Sequence, residues 1–136
     1  MAVVLIVEDD EQVRVLAESV LQDAGHSVIA ATGVEGATAL LQADQKIDVV
    51  FVDLTLGSDP EAGLKLAHDA KAKRQELSFL YTTGSGVNAG MQAMFVKPFL
   101  FLPKPYTLEQ LTQSVEFLLM KAQPRQKAGW PPSQSG

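Results

Sequence analysis

Glu8, Asp9, Asp53, Thr83 and Lys104 are the residues whose types and spacing point to chemistry. They follow four short apolar runs, Val3–Val7, Val49–Val52, Phe79–Tyr81 and Phe99–Leu102. Glu8, Asp9 and Asp10 are consecutive, and crowded carboxylates repel one another unless a cation offsets their charge. Magnesium takes oxygen ligands, usually one or two carboxylates with waters and phosphate oxygens, so an acidic strand end facing Asp53 suits it. Asp9 and Asp10 can also be read as caps of a following helix, whose free N–H groups attract carboxylates.

With a metal to offset charge, a carboxylate at Asp53 can attack a phosphoryl donor and form an acyl phosphate. Taken alone, Asp53 reads as well as a capping or turn-forming aspartate. Thr83 offers a hydroxyl to a phosphoryl oxygen, or serves as a turn residue in Thr82-Thr83-Gly84. Lys104, just before Pro105, can direct an ammonium group at a bound phosphate, although a single lysine at a loop start is ordinarily only solvated. A second Lys-Pro pair stands at Lys97-Pro98. Choosing Lys97 would force Phe99–Leu102 into the last helix with Pro103 inside it, at a cost of about 3 kcal/mol. Lys104 is therefore the assignment.

These residues need a frame that gathers them at one edge. Continuous apolar runs of this length suit strands buried on both faces of a parallel sheet. Glu11–Asp23 reads as a first helix with Val13, Leu16, Val20 and Leu21 on one stripe, ending at Ala24-Gly25. His26–Ala31 reads as a second strand, Val34–Gln42 as a second helix, Asp48–Asp53 as a third strand, 57–63 as a loop, and Leu64–Lys73 as a third helix with Leu64, Ala67 and Ala70 inward. Gly84, Gly86 and Gly90 depress helix propensity in the next segment, so a short or irregular fourth helix around 91–94 is expected. Thr107 and Gln110 form a capping box for a last helix, whose Leu108, Leu111, Val115 and Leu118 share a face as far as Lys121. Alternating strands and helices predict a doubly wound α/β sheet, which binds ligands at its strand ends. The expected division is a domain over 1–122 and a disordered tail over 123–136, rich in Pro, Gln, Gly and Ser with a lone Trp130.

Composition narrows the function classes. The chain has 136 residues, 46% of them hydrophobic, which suits one domain with its own core. A net charge of −5 offers no basic surface, so neither nucleic acid nor a membrane is an expected partner. The absence of cysteine excludes disulfides, zinc thiolates and thiol catalysis. The first apolar run has no basic leader and no stretch is long enough to span a bilayer, so a soluble cytoplasmic protein is expected.

Taken together, the chain resembles the receiver domain of bacterial two-component response regulators, of the stand-alone or hybrid-kinase type, over residues 3 to about 121. The resemblance rests on Val-Glu-Asp-Asp after a strand, Val-Asp-Leu at Asp53, a strand-ending Thr-Gly and a Lys-Pro before the last helix, in the family's order. Asp9 and Asp53 lie 44 positions apart and Thr83 and Lys104 lie 21 apart, both close to the family's spacing. The resemblance implies a flavodoxin-like five-stranded parallel sheet of order 2-1-3-4-5 with five helices. It implies a phosphoacceptor at Asp53, a Mg2+ cofactor ligated by Asp9, Asp53 and the Thr55 backbone carbonyl, and a water-mediated contact from Glu8. Thr83 and Lys104 would contact the phosphoryl group, and Phe101 matches an aromatic position that swings inward on activation. Tyr81 reads as core.

The implied partners are a histidine kinase or histidine phosphotransfer protein upstream and a protein target downstream. The implied role is a phosphoacceptor signalling domain rather than an enzyme. Two rivals stand beside it. A receiver-like module could bind partners without phosphorylation, and a phosphatase of the haloacid dehalogenase type would want a second aspartate where this chain has Thr55. Two departures from the family pattern stand out. The segment Gly57-Ser58-Asp59-Pro60-Glu61-Ala62-Gly63 replaces a short proline-containing turn, and glycines follow Thr83 where a rigid fourth helix is usual.

Overall fold

The protein is described by a computed structural model over residues 2–121. The expected tail at 123–136, with Trp130, lies outside the described residues. The elements alternate as β1 (Val3–Val7), α1 (Glu11–Asp23), β2 (Ser27–Ala31), α2 (Val34–Gln42), β3 (Val49–Asp53), α3 (Ala62–Lys73), β4 (Ser78–Thr83), α4 (Ala89–Gln92), β5 (Phe99–Pro103) and α5 (Leu108–Lys121). All strand pairs are parallel and the sheet order is β2-β1-β3-β4-β5. This is the doubly wound, flavodoxin-like architecture expected from the sequence.

The central strands are apolar throughout because both faces are covered. One face carries Leu5, Val7, Val50, Val52, Phe79 and Tyr81 against α2, α3 and the segment after α4. The other carries Val4, Ile6, Val49, Phe51 and Leu80 against α1 and α5. Burying such a side chain contributes about 1.5–3 kcal/mol, so the two layers fix the strand register that brings the polar strand ends level. Val7 pairs with Val52, Asp53 with Thr82, and Thr83 with Pro103. Glu8, Asp53, Thr83 and Lys104 thereby reach one edge.

Several local expectations needed correction. On α1 the buried residues are Ala17 and Leu21, while Leu16 is 52% exposed. Leu16 sits one residue, roughly 100° of helix rotation, from Ala17 and so faces away from the sheet. Leu108, in the first turn of α5, is 42% exposed, and Leu111, Val115 and Leu118 form the buried stripe. Helix α3 starts at Ala62 rather than Leu64, and buries Leu64, Ala67 and Ala70 as expected. Helix α4 spans Ala89–Gln92, earlier than the expected turn at 91–94, because Asn88 caps it by accepting the Met91 N–H at 2.8 Å. The capping box of α5 is reciprocal: Gln110 N–H donates to Thr107 Oγ1 at 3.0 Å and Thr107 N–H to Gln110 Oε1 at 2.8 Å.

Candidate functional site

Parallel order 2-1-3 makes the chain leave β1 and β3 toward opposite faces, which opens a crevice at their carboxyl ends. Glu8 and Asp9 enter it from β1, and Asp53 from β3. One carboxylate oxygen from each of these three residues lies within 4.8 Å of the others. Asp53 is 5% exposed and Glu8 4% exposed, whereas Asp9 is open to solvent. Lys104 comes from the end of β5, where its backbone N–H extends the pairing with β4 by bonding the Thr83 carbonyl at 3.1 Å. Its ammonium stands 2.8 Å from Asp53 Oδ2 and 3.0 Å from Glu8 Oε1. Lys97, the rejected candidate, is exposed ahead of β5.

Each carboxylate is oriented by a backbone donor. Asp53 Oδ1 accepts the Thr55 N–H at 3.0 Å, Glu8 Oε2 accepts the Asp10 N–H at 3.1 Å, and Asp9 Oδ2 accepts the Gly57 N–H at 2.9 Å. Asp10 caps α1 by accepting the Val13 N–H at 3.2 Å. The capping alternative is therefore right for Asp10 but not for Asp9, whose bond crosses to the loop after β3. Thr83 is buried, and its Oγ1 accepts the Ser85 N–H at 3.2 Å, which leaves the hydroxyl proton available to another acceptor. Phe101 does not join the carboxylate cluster. It lies half-buried on β5 opposite Tyr81, with its ring centroid 6.0 Å from that of Phe95.

The electrostatics follow from packing two buried carboxylates, Glu8 and Asp53, against one ammonium. Burial pushes the Glu8 carboxyl above its usual range, against the opposing effects of the Asp10 N–H and Lys104, while the Asp53 charge adds to the rise. Burial alone would lower the Lys104 pKa, but its hydrogen bonds to Asp53 and Glu8 outweigh this and push it up to about 12. Tyr106, edge-on to Phe51 at 5.8 Å, is raised to about 12 by burial first and the Glu8 charge second. An all-oxygen donor set with more negative charge than one lysine offsets fits a hard divalent cation.

Besides the Gly57 N–H that holds Asp9, sequence reasoning missed three contributors. Arg14 steadies the backbone at Glu8 by donating to its carbonyl at 3.1 Å. Tyr106 walls the site, and an aromatic directly after Lys104-Pro105 was its available signal. Gly63 lets α3 approach the site: a Cβ there would lie 2.3 Å from the Asp53 carbonyl oxygen and 2.8 Å from Leu54 Cα. A glycine between Ala62 and Leu64 gave no sequence signal of that contact.

Residues 4–116 match the response regulator receiver domain family. The chain belongs to this family. Its curated relatives include the sensor kinase CckA of Brucella abortus, 32% identical over 88% of this chain. The two-component response regulator PprB of Pseudomonas aeruginosa is 31% identical over 85% of it. The chain spans 13% of the length of the first and 42% of the second. Among solved structures, a response regulator receiver protein from Sinorhizobium medicae aligns with a TM-score of 0.81 and 26% identity, covering 90% of this chain and 97% of that one. The receiver fold and the two-component class thus stand as expected from the sequence. Among the described residues, no helix is long and apolar enough to cross a membrane.

Proposed function

We propose that this receiver accepts a phosphoryl group on Asp53 from a phosphohistidine of a histidine kinase or histidine phosphotransfer protein. The observation that carries this reading is the buried Asp53 carboxylate, held by Lys104 at 2.8 Å and by the Thr55 N–H at 3.0 Å, beside Glu8 and Asp9. Each Asp53 oxygen has one partner and so keeps a lone pair for attack on phosphorus. The new O–P bond forms as the donor N–P bond breaks, and the leaving imidazole takes up a proton.

Phosphoryl transfer asks a protein mostly for position and charge stabilisation. Lys104 already lies against Asp53 and would move with the charge onto the phosphoryl oxygens. Thr83 would give its hydroxyl proton to one of them. Magnesium, when bound, would neutralise phosphoryl and carboxylate charge, with Asp9, Asp53 and the Thr55 carbonyl as its protein ligands and Glu8 acting through water. Phe101, opposite Tyr81, would respond to Thr83 and alter the surface that a downstream protein reads. Residues 1–122 would form the phosphorylated unit, working in the cytoplasm without nucleic acid contact.

The test incubates the protein with magnesium and acetyl phosphate and measures intact mass. An acid-stable, base-labile phosphoryl adduct is expected on the wild type and none on Asp53→Asn. No adduct on the wild type, or the same adduct on Asp53→Asn, overturns the assignment.

A further inference from the structure

We propose that Gly57 is a positioning residue whose backbone N–H holds Asp9 ready for a divalent cation, an inference that rests on placing Asp9 on the metal side of the site. Glu8 and Asp53 are buried and tied to Lys104, so their carboxylates are held without help from an ion. Asp9 is exposed and lacks that anchor. A free aspartate side chain turns about two torsions, and ordering it on ion binding opposes affinity. The Gly57 N–H, 48 residues away in sequence, fixes Oδ2 at 2.9 Å and leaves Oδ1 for a cation.

The direction of that N–H is set by the loop after β3. Leu56 and Asp59 exchange two backbone hydrogen bonds, each 3.2 Å, and Gly57 between them takes a φ of +64°. Proline, with φ near −65° and no N–H, can supply neither the turn nor the bond. A non-glycine residue strains this conformation, and asparagine tolerates it best. Apart from its own chain neighbours, no heavy atom lies within 4 Å of where a Gly57 Cβ would stand, so substitutions act through φ and the N–H rather than by collision. Of the loop's two acids, Asp59 is turned elsewhere, since it accepts the Glu61 N–H at 2.9 Å and stands 3.6 Å from Lys65. This loop therefore brings the Gly57 N–H to the metal side while Asp59 is held away from it.

The experiment titrates the full chain with magnesium chloride alone, by calorimetry, and follows the Gly57 amide in metal-free protein by NMR hydrogen exchange. Loss of such an orienting partner costs about 10- to 100-fold in metal affinity. Gly57→Pro is expected to weaken magnesium binding at least about tenfold. Gly57→Asn, which keeps both the N–H and the turn, is expected to restore most of it. Asp9→Ala is expected to speed exchange of the Gly57 amide. A merely structural role would shift the melting temperature of the variants and leave magnesium affinity unmoved. The inference fails if a folded Gly57→Pro binds magnesium like the wild type. Should that variant not fold, an unchanged Gly57 exchange rate in Asp9→Ala overturns the inference by itself. The underlying site assignment fails differently: the wild type does not bind magnesium, or Asp9→Ala binds it equally well.

Discussion

Lys104 is the residue on which the charge of the site balances. Its ammonium contacts two nearly buried carboxylates at 2.8 and 3.0 Å, and its own side chain is 23% exposed. Removing one member of a buried ion pair leaves the other charges uncompensated, at a cost of about 3–5 kcal/mol when burial is complete. Partial exposure of Lys104 reduces that to about 2 kcal/mol. Lys104→Met should therefore lower the urea midpoint in chelator, and magnesium should recover part of the loss by binding the folded state. Equal stability of variant and wild type in chelator would mean that solvent, not Lys104, compensates Glu8 and Asp53. The pattern of Glu8, Asp9, Asp53, Thr83 and Lys104 was legible from the sequence because each stands at or just after the end of an apolar run. The partners Gly57, Gly63 and Arg14 were not, because contacts made by or to the backbone leave no mark on residue type.

At the scale of elements, the two glycines of α2 and α3 make opposite demands. Gly63 faces the backbone of β3, where a Cβ would collide with the Asp53 carbonyl oxygen at 2.3 Å. Gly36 lies on the exposed side of α2, where a Cβ would meet only Ala31 Cβ, at an ordinary 3.5 Å. Gly63→Ala should destabilise by about 1–3 kcal/mol through forced displacement of α3. It should also slow phosphorylation of Asp53. Gly36→Ala should stabilise by about 0.4–1 kcal/mol by restricting the unfolded chain. Urea denaturation of the pair decides the matter, and equal effects would show that helix propensity rather than close approach governs both positions. The central strands β1, β3 and β4 were legible because short continuous apolar runs suit strands covered on both faces, and the Thr107–Gln110 cap marked the start of α5. Helix faces were less so: an apolar residue such as Leu16 looks the same whether it meets the sheet or the solvent. The start of α3 was misread because Gly63 suggested a loop, whereas it is the residue that lets the helix dock.

Across the whole molecule, the question is how far an event at Asp53 travels. The Thr83 hydroxyl oxygen holds the Ser85 N–H, so drawing Thr83 toward a phosphoryl group would disturb the exposed turn Gly84-Ser85-Gly86 first. Helix α4 has four residues, none of them buried, and is too short to carry the change as a rigid rod. The segment beyond it is pinned. Phe95 is buried with its ring 4.3 Å from that of Tyr81, the Tyr81 hydroxyl accepts the Val96 N–H at 2.9 Å, and His68 Nε2 bonds the Met94 carbonyl at 2.7 Å. Burial pushes the Tyr81 pKa up to about 12, despite the opposing Val96 N–H, so its phenol stays neutral and this anchor persists across the neutral range. If Asp53 is phosphorylated as proposed, movement from the site would be confined to the turn and α4 on one side of the anchor and to Phe101, opposite Tyr81, on the other. Titration with beryllofluoride and magnesium, followed by amide NMR, should shift residues 83–92, Phe101 and the adjoining face of α5, and leave Phe95 and Val96 nearly still. Large shifts at Phe95 and Val96 would mean that the anchor releases and the connector moves as a unit. Shifts limited to the neighbours of Asp53 would mean that the domain takes up the phosphoryl group without switching, because Phe101 would then sense nothing of Thr83.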